Sequence, residues 1–496
     1  MTDPRAAELV RRLDLLERSS RRLEPNAAER AALARKVLEH AERAIEHFET
    51  GPAYRDPVPA DAAALDEASI GRAAVGFERA LELHARHVDG IGHNTSAPGF
   101  YGYIPGGNLY HAALADFLAA ASNRFSGRLV AGPGAVRIEN QILRWLYSVV
   151  GYPASAGGNL SSGGSLANLG AIVAARQAAG LKSRDVERAV IYLTAHAHHC
   201  VDKACLIAGL GEAVVRRVPV DERFRLRPDA LNAMIAEDRA SGWRPFLVVA
   251  TAGTTDTGAV DPLDAVAEIA ARERIWFHVD AAYGGLFALC AEGREALRGL
   301  EKSDSLVLDP HKGLLVPFGC GALLVRDGAA LRRANSFEAN YISDHGPDAE
   351  EPSPMDCSLE LSRPFRALRL WLPLQALGVE PFAAALEERM LLARHAYDLF
   401  GTLPGIEMGP PPDLSIFVFR FRPSRGDGDA DAFNSALEHA LMRDGRVLLS
   451  STLLHGKRYL RFAVLSLRTH RPDVESAVEV VREAAVALDP NLGRTE

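Results

Sequence analysis

The sequence predicts an α/β protein built on a largely parallel central sheet with helices on both faces. Three observations carry this. Between residues 158 and 326, short and mostly apolar runs recur: AVIYL (189–193), VVRRVPV (214–220), FLVVAT (246–251), IWFHVD (275–280), SLVLD (305–309) and GALLV (321–325). Such runs suit strands buried on both faces. Helical patterns separate them, as connections between parallel strands require. One of these helices is well marked, because Asp261 is placed to cap it, Pro262 fits its first turn, and Leu263, Val266 and Ala270 share a face.

The flanks read differently. Residues 1–95 form an N-terminal helical segment, in which ALARKVLEHAERAIEHF spaces Leu33, Val37, Ala41 and Ile45 for one helix face before the Pro-rich GPAYRDPVPAD. Residues 96–375 make the large α/β domain, and a charged, Pro-containing stretch, ISDHGPDAEEPSPMD (342–356), lies near its end. Residues 376–496 form a small α+β domain: helical segments lead to SIFVFRF, RVLLS and YLRFAVL, then to a last helix with Val474, Ala477, Val478 and Val481 on one side.

Composition narrows the function. The 496 residues carry 56 Lys plus Arg against 64 Asp plus Glu, a net charge of -8 without a basic block, which argues against nucleic acid. No stretch reaches ~18 apolar residues without charge, and the N-terminus mixes both signs, so neither a membrane span nor a signal peptide is expected. The five cysteines are odd in number and irregularly spaced, which argues against a disulfide framework and for a reducing cytoplasm.

In open parallel sheets, ligands bind beyond the carboxyl ends of the strands. The residues there are distinctive. Lys312 follows SLVL and precedes LLV, where an ammonium must be paired or lose its proton. Such a lysine forms Schiff bases with carbonyl groups, pyridoxal 5'-phosphate being the commonest biological aldehyde; a packed stem with a head in water explains the same letters. Asp280 closes IWFHVD and needs a positive or hydrogen-bonding partner, such as a pyridine nitrogen, unless it caps the following turn. NLSSGGSLAN (159–168) lacks the spacing of a nucleotide loop, yet Gly163, Gly164, Ser165 and the helix start suit a phosphate, or a simple serine cap. HAHHC (196–200) has no second ligand cluster with regular spacing, so a metal site is not expected.

Taken in order, these pieces resemble the pyridoxal-phosphate-dependent group II amino-acid decarboxylases, from about residue 30 to the C-terminal helix. SSGGSLAN, with Asn168, resembles the family's phosphate loop. AHHCVDKA resembles the segment with the ring-stacking histidine, here His198. TAGTTDTGAVDP and HVDAAYGG are similar to the motifs that place Thr254, Asp280 and Ala282 around the ring. DPHK resembles the Schiff-base signature, with Lys312 as the aldimine lysine and His311 near the phosphate, and LSRPFRALRLW resembles the stretch leading into the C-terminal domain.

The resemblance implies the aspartate-aminotransferase-like fold type I with a seven-stranded central sheet, a homodimer with its active site at the interface, and decarboxylation of an L-amino acid through a quinonoid. The proton returns from Tyr341, or from His311. Tyr103, Ile104 and Pro105 in SAPGFYGYIPGG match the family's substrate wall, and Ser362 matches a position that leans toward phenolic substrates; an aromatic amino acid such as tyrosine, DOPA or tryptophan is the implied substrate. Against this, Arg128 suits an acidic side chain or an ion pair, so a glutamate-like substrate stays open, as does a related lyase or aldehyde synthase. Gly313, Gly106 and Asp309 depart from the tryptophan, threonine and asparagine that many relatives carry.

Overall fold

The computed structural model describes residues 4–68, 70–71, 73–336, 351–424 and 430–492. They fall into two compact units, Met1–Asn94 and Thr95–Glu496.

In the first unit the main helix is Ala27–Thr50. Asn26 begins it with a reciprocal cap: its Oδ1 accepts from Ala28 and Glu29 N–H groups, while Glu29 Oε2 accepts from Asn26 N–H at 2.8 Å. Helix Pro4–Ser20 buries no residue. Two short strands, β1 (Tyr54–Arg55) and β2 (Gly92–His93), pair antiparallel.

The second unit holds a seven-stranded sheet. Its strands are β3 (Gly157–Ser161), β4 (Ala189–Leu193), β5 (Val214–Arg217), β6 (Arg244–Thr251), β7 (Trp276–Asp280), β8 (Ser305–Leu308) and β9 (Gly321–Val325), in the order β3-β9-β8-β7-β6-β4-β5. Strands β8, β7, β6, β4 and β5 run parallel, and β9 runs antiparallel to both of its neighbours. This is the mostly parallel fold type I sheet.

Strand β3 is the one that apolar runs do not announce, since GGNLS is glycine-rich. Its burial explains the composition: a Cβ on Gly157 would lie 2.7 Å from Gly328 Cα. Asp261 also does other work than capping. Its Oδ1 accepts from Leu226 N–H and its Oδ2 from Thr251 N–H, both at 2.7 Å, so it ties the end of β6 to a neighbouring loop. Pro262 precedes helix Leu263–Glu273 instead.

A second sheet carries β10 (Ile406–Met408), β11 (Ile416–Phe421), β12 (Ser450–Leu454) and β13 (Lys457–Ala463), all antiparallel in the order β10-β11-β13-β12. Its core is aromatic. Phe400 stacks on Phe419 at 4.5 Å, and Tyr101 stacks on Phe462 at 4.0 Å. The buried Val474, Ala477, Val478 and Val481 of helix Arg471–Leu488 pack on it.

Candidate active site

The carboxyl ends of the parallel strands open into one cavity of about 360 Å³. Four sequence motifs meet on its wall: Gly163, Gly164, Ser165 and Asn168; His198; Asp280 and Ala282; and Asp309, His311 and Lys312. A parallel sheet collects residues separated by up to a hundred and fifty positions in this way, because each strand delivers its following turn to the same edge.

Lys312 Nζ lies 2.9 Å from Asp309 Oδ2, and only 2% of the Asp309 side chain is exposed. The short helix Pro310–Gly313 sets this pairing by turning Lys312 back over Asp309. Asp309 Oδ1 is buried without a hydrogen-bond partner. His311 Nδ1 donates to the Cys320 carbonyl at 2.7 Å, which leaves Nε2 free of its proton in the neutral ring. Burial lowers the pKa of His311, favouring that neutral form.

Asp280 ends β7, and its two oxygens are held separately. Oδ2 accepts from Asn168 Nδ2 at 3.1 Å, and Oδ1 accepts from Ala282 N–H at 3.2 Å. His198 Nδ1 accepts from Cys200 N–H at 3.2 Å. Burial lowers the His198 pKa, against the pull of the Asp280 charge. The neighbouring His196 turns away to Asp256 Oδ2 at 3.2 Å, so the histidines of HAHHC serve different partners.

Gly163 and Gly164 begin helix Gly164–Ala178, whose free N–H groups favour an anion. The wall is tight here: a Cβ on Gly164 would lie 3.0 Å from Asp309 Oδ2 and 3.2 Å from Ala282 Cβ.

Other expected residues stand elsewhere. Thr254 does not line the cavity; its hydroxyl lies 2.9 Å from that of Thr257, and Thr251, Gly253 and Thr255 form the wall instead. Tyr103, Ile104, Pro105, Ser362 and Arg128 are also outside the lining. Ser362 is exposed, and the positive charge of Arg128 acts on Asp356. Tyr341 lies outside the described residues.

The segment carrying Tyr103 is nonetheless tied to the lysine loop. Gly107 N–H donates to the His311 carbonyl and Leu109 N–H to the Leu315 carbonyl, each at 2.9 Å. Tyr103 and Leu315 both take left-handed backbone, with φ of 53° and 59°. Such strain in residues other than glycine collects at functional sites.

The donor set fits pyridoxal phosphate. An amine, a carboxylate and a helix N-terminus face one cavity, and Thr251 Oγ1 joins Asp309 Oδ1 as a buried, unpartnered polar atom on its wall. Sequence reasoning passed over Thr251 and His278. The signal for His278 was present, a polar residue inside an otherwise apolar strand and two positions before Asp280.

Comparison with known proteins agrees with this geometry. The family described as "Pyridoxal-dependent decarboxylase conserved domain" matches residues 76–422. The chain is 37% identical to the aromatic-L-amino-acid decarboxylase of Bacillus atrophaeus over 375 residues, 75% of this chain and 78% of that one. It is 33% identical to the L-2,4-diaminobutyrate decarboxylase of Rhizobium meliloti, covering 77% of each. The structure superposes on a crystal structure of Oryza sativa TDC with PLP and tryptamine at a TM-score of 0.88, with 29% identity, over 94% of this chain and 99% of that one.

Proposed function

This chain belongs to the pyridoxal-dependent decarboxylase family, and on that premise we propose that it converts an aromatic L-amino acid to the corresponding amine and CO2. It is a carboxy-lyase that uses pyridoxal phosphate. The observation that carries the site assignment is the shared cavity of Lys312, Asp280 and the Gly163–Ser165 turn.

Bound pyridoxal phosphate supplies an electron sink for the pair left behind when CO2 departs. The chain supplies the rest. Lys312 would hold the cofactor through its amine. Asp280 would keep the pyridine nitrogen protonated, Ala282, Thr251 and His198 would flank the ring, and Gly163, Gly164, Ser165 and His311 would hold the phosphate. Tyr341 returns a proton to the substrate Cα. Exclusion of water from the cavity during the reaction would keep it from competing for that carbon.

An aromatic side chain is favoured by the resemblance to the Bacillus atrophaeus enzyme and by the rings near the lysine loop. Phe318 lies 5.6 Å from the His311 ring, and Tyr103 is held by a hydrogen bond from its N–H to Ser450 Oγ. We assign the active form as a homodimer. Helix Pro4–Ser20 exposes Leu9, Leu13 and Leu16, and helix Tyr110–Ser122 exposes Leu114, Phe117 and Leu118, surfaces that suit a second copy. A shared interface accounts for substrate residues that stand outside one chain's cavity. Five buried free thiols suit a reducing cytoplasm.

The test is CO2 and amine release by the purified holoenzyme from tyrosine, DOPA, tryptophan, glutamate and 2,4-diaminobutyrate, with light scattering for the dimer. Turnover confined to an aromatic substrate supports the proposal. Preference for glutamate or diaminobutyrate overturns it, and release of an aldehyde with ammonia identifies an aldehyde synthase.

A further inference from the structure

Behind Asp280 runs a line of polar side chains, buried except for the half-buried Trp276 at its far end, that the reaction itself does not use. Strand β7 presents Trp276, His278 and Asp280 on one face, because residues two apart share a face. Ser305 on β8 is the register partner of His278, and Asn168 comes from helix Gly164–Ala178.

Their hydrogen bonds form one chain. Trp276 Nε1 meets Ser305 Oγ at 2.8 Å, Ser305 Oγ meets His278 Nδ1 at 2.9 Å, His278 Nε2 meets Asn168 Oδ1 at 2.7 Å, and Asn168 Nδ2 meets Asp280 Oδ2 at 3.1 Å.

Both ends are polarised. The indole only donates, and the carboxylate only accepts. Asn168 therefore turns its NH2 toward Asp280, with its second hydrogen directed to Cys200 Sγ at 3.4 Å. Its oxygen then faces His278, which must carry the proton on Nε2. Complete burial lowers the His278 pKa to about 4, so near neutral pH the ring has a bare Nδ1 that accepts the Ser305 hydroxyl hydrogen. The Ser305 oxygen is left to accept from Trp276. Each link has one permitted direction, and none of these side-chain atoms is left unpartnered.

We propose that Trp276, Ser305, His278 and Asn168 form a one-way relay that aims the Asp280 carboxylate at the cofactor, which makes His278 a positioning residue for pyridoxal phosphate. This rests on the assignment of Asp280 to the pyridine ring. Removing a link does not remove Asp280; it frees Asn168 to flip and present its oxygen to the carboxylate. Losing the alignment of a hydrogen bond to a charged group weakens cofactor binding about tenfold or more.

The test uses cofactor-free protein and an absorbance titration with pyridoxal phosphate. His278→Gln keeps a donor toward Asn168 and an acceptor toward Ser305, whereas His278→Phe keeps neither. Ser305→Ala breaks the relay at a residue outside the cavity lining. The relay predicts dissociation constants raised about tenfold in His278→Phe and Ser305→Ala, and less than about threefold in His278→Gln. Nitrogen NMR of the imidazole in the folded wild-type apoprotein reads the tautomer directly, without any variant. A proton on Nδ1 overturns the relay, as does unchanged affinity in both breaking variants while Asp280→Ala binds poorly. Wild-type affinity in Asp280→Ala overturns the ring assignment and the relay with it.

Discussion

Glu139 and Arg363 meet at 2.6 Å with both side chains fully buried, joining helix Pro133–Val150 to the segment that precedes the C-terminal domain. Arg363 also donates to the Leu160 carbonyl, and Glu139 Oε1 accepts from Leu160 N–H at 3.3 Å. The pair thereby clamps β3, the strand that delivers the Ser162–Ser165 turn to the cavity.

Removing one partner leaves an uncompensated buried charge, which costs about 3–5 kcal/mol. Arg363→Met is expected to lower stability by that amount in urea unfolding. It is also expected to weaken pyridoxal phosphate binding, because the phosphate turn loses its anchor. A variant that unfolds at the wild-type urea concentration would show that β3 is held by its sheet neighbours alone.

Lys312 and Asp309 support a second expectation. In Lys312→Ala the buried Asp309, whose Oδ1 already lacks a partner, loses the partner of Oδ2 as well. Decarboxylation and the visible band of the bound cofactor should disappear. The cofactor-free protein should lose about 1–3 kcal/mol from the stranded carboxylate. Adding Asp309→Asn should recover most of the stability and none of the activity, and recovery of activity would remove Lys312 from the chemistry.

How much of this was legible in the sequence follows from what each residue touches. AVIYL and GALLV read as strands because burial on both faces demands continuous apolar side chains, and they became β4 and β9. GGNLS did not, since close packing against Gly328 selects for small size instead of hydrophobicity. Lys312 and Asp280 were legible because polar residues stood where strands end, and His198 through the resemblance of AHHCVDKA to the family's segment. Thr254 came from the family resemblance; which threonine of TAGTT faces the cavity depends on the turn, in which Thr254 bonds Thr257 and leaves Thr251 and Thr255 on the wall. Asp261 read as a helix cap because its two backbone donors lie at positions 226 and 251, outside any local pattern.

Acid should unfold the protein partly through His278. Its folded-state pKa, about 4, lies below the ordinary 6.5, so the neutral ring contributes stability that is fully present above pH 6.5. That contribution is lost as pH falls from 6.5 through 4, and the shift corresponds to about 3 kcal/mol. His278→Gln, which does not titrate, should show a shallower loss of stability across this window than the wild type. Equal slopes in urea melts at pH 7, 5.5 and 4.5 would mean that His278 is not buried neutral.

Gly106 and Phe318 offer a test of the aromatic wall. A Cβ on Gly106 would lie 2.8 Å from Phe318 Cδ1, so the absence of a side chain there is what allows the ring its position beside His311. Gly106→Thr must displace the ring or strain the backbone, and overpacking of this kind costs about 1–3 kcal/mol. Phe318 itself is 59% exposed, so Phe318→Ala should cost little stability and should relieve the strain in the double variant. If the ring forms part of the substrate wall, Phe318→Ala raises KM for the aromatic substrate while kcat changes little, because lost side-chain contact weakens ground state and transition state alike. An unchanged KM with a fall in kcat would place Phe318 behind the lysine loop as a support for His311, and the substrate wall would then have to be sought elsewhere.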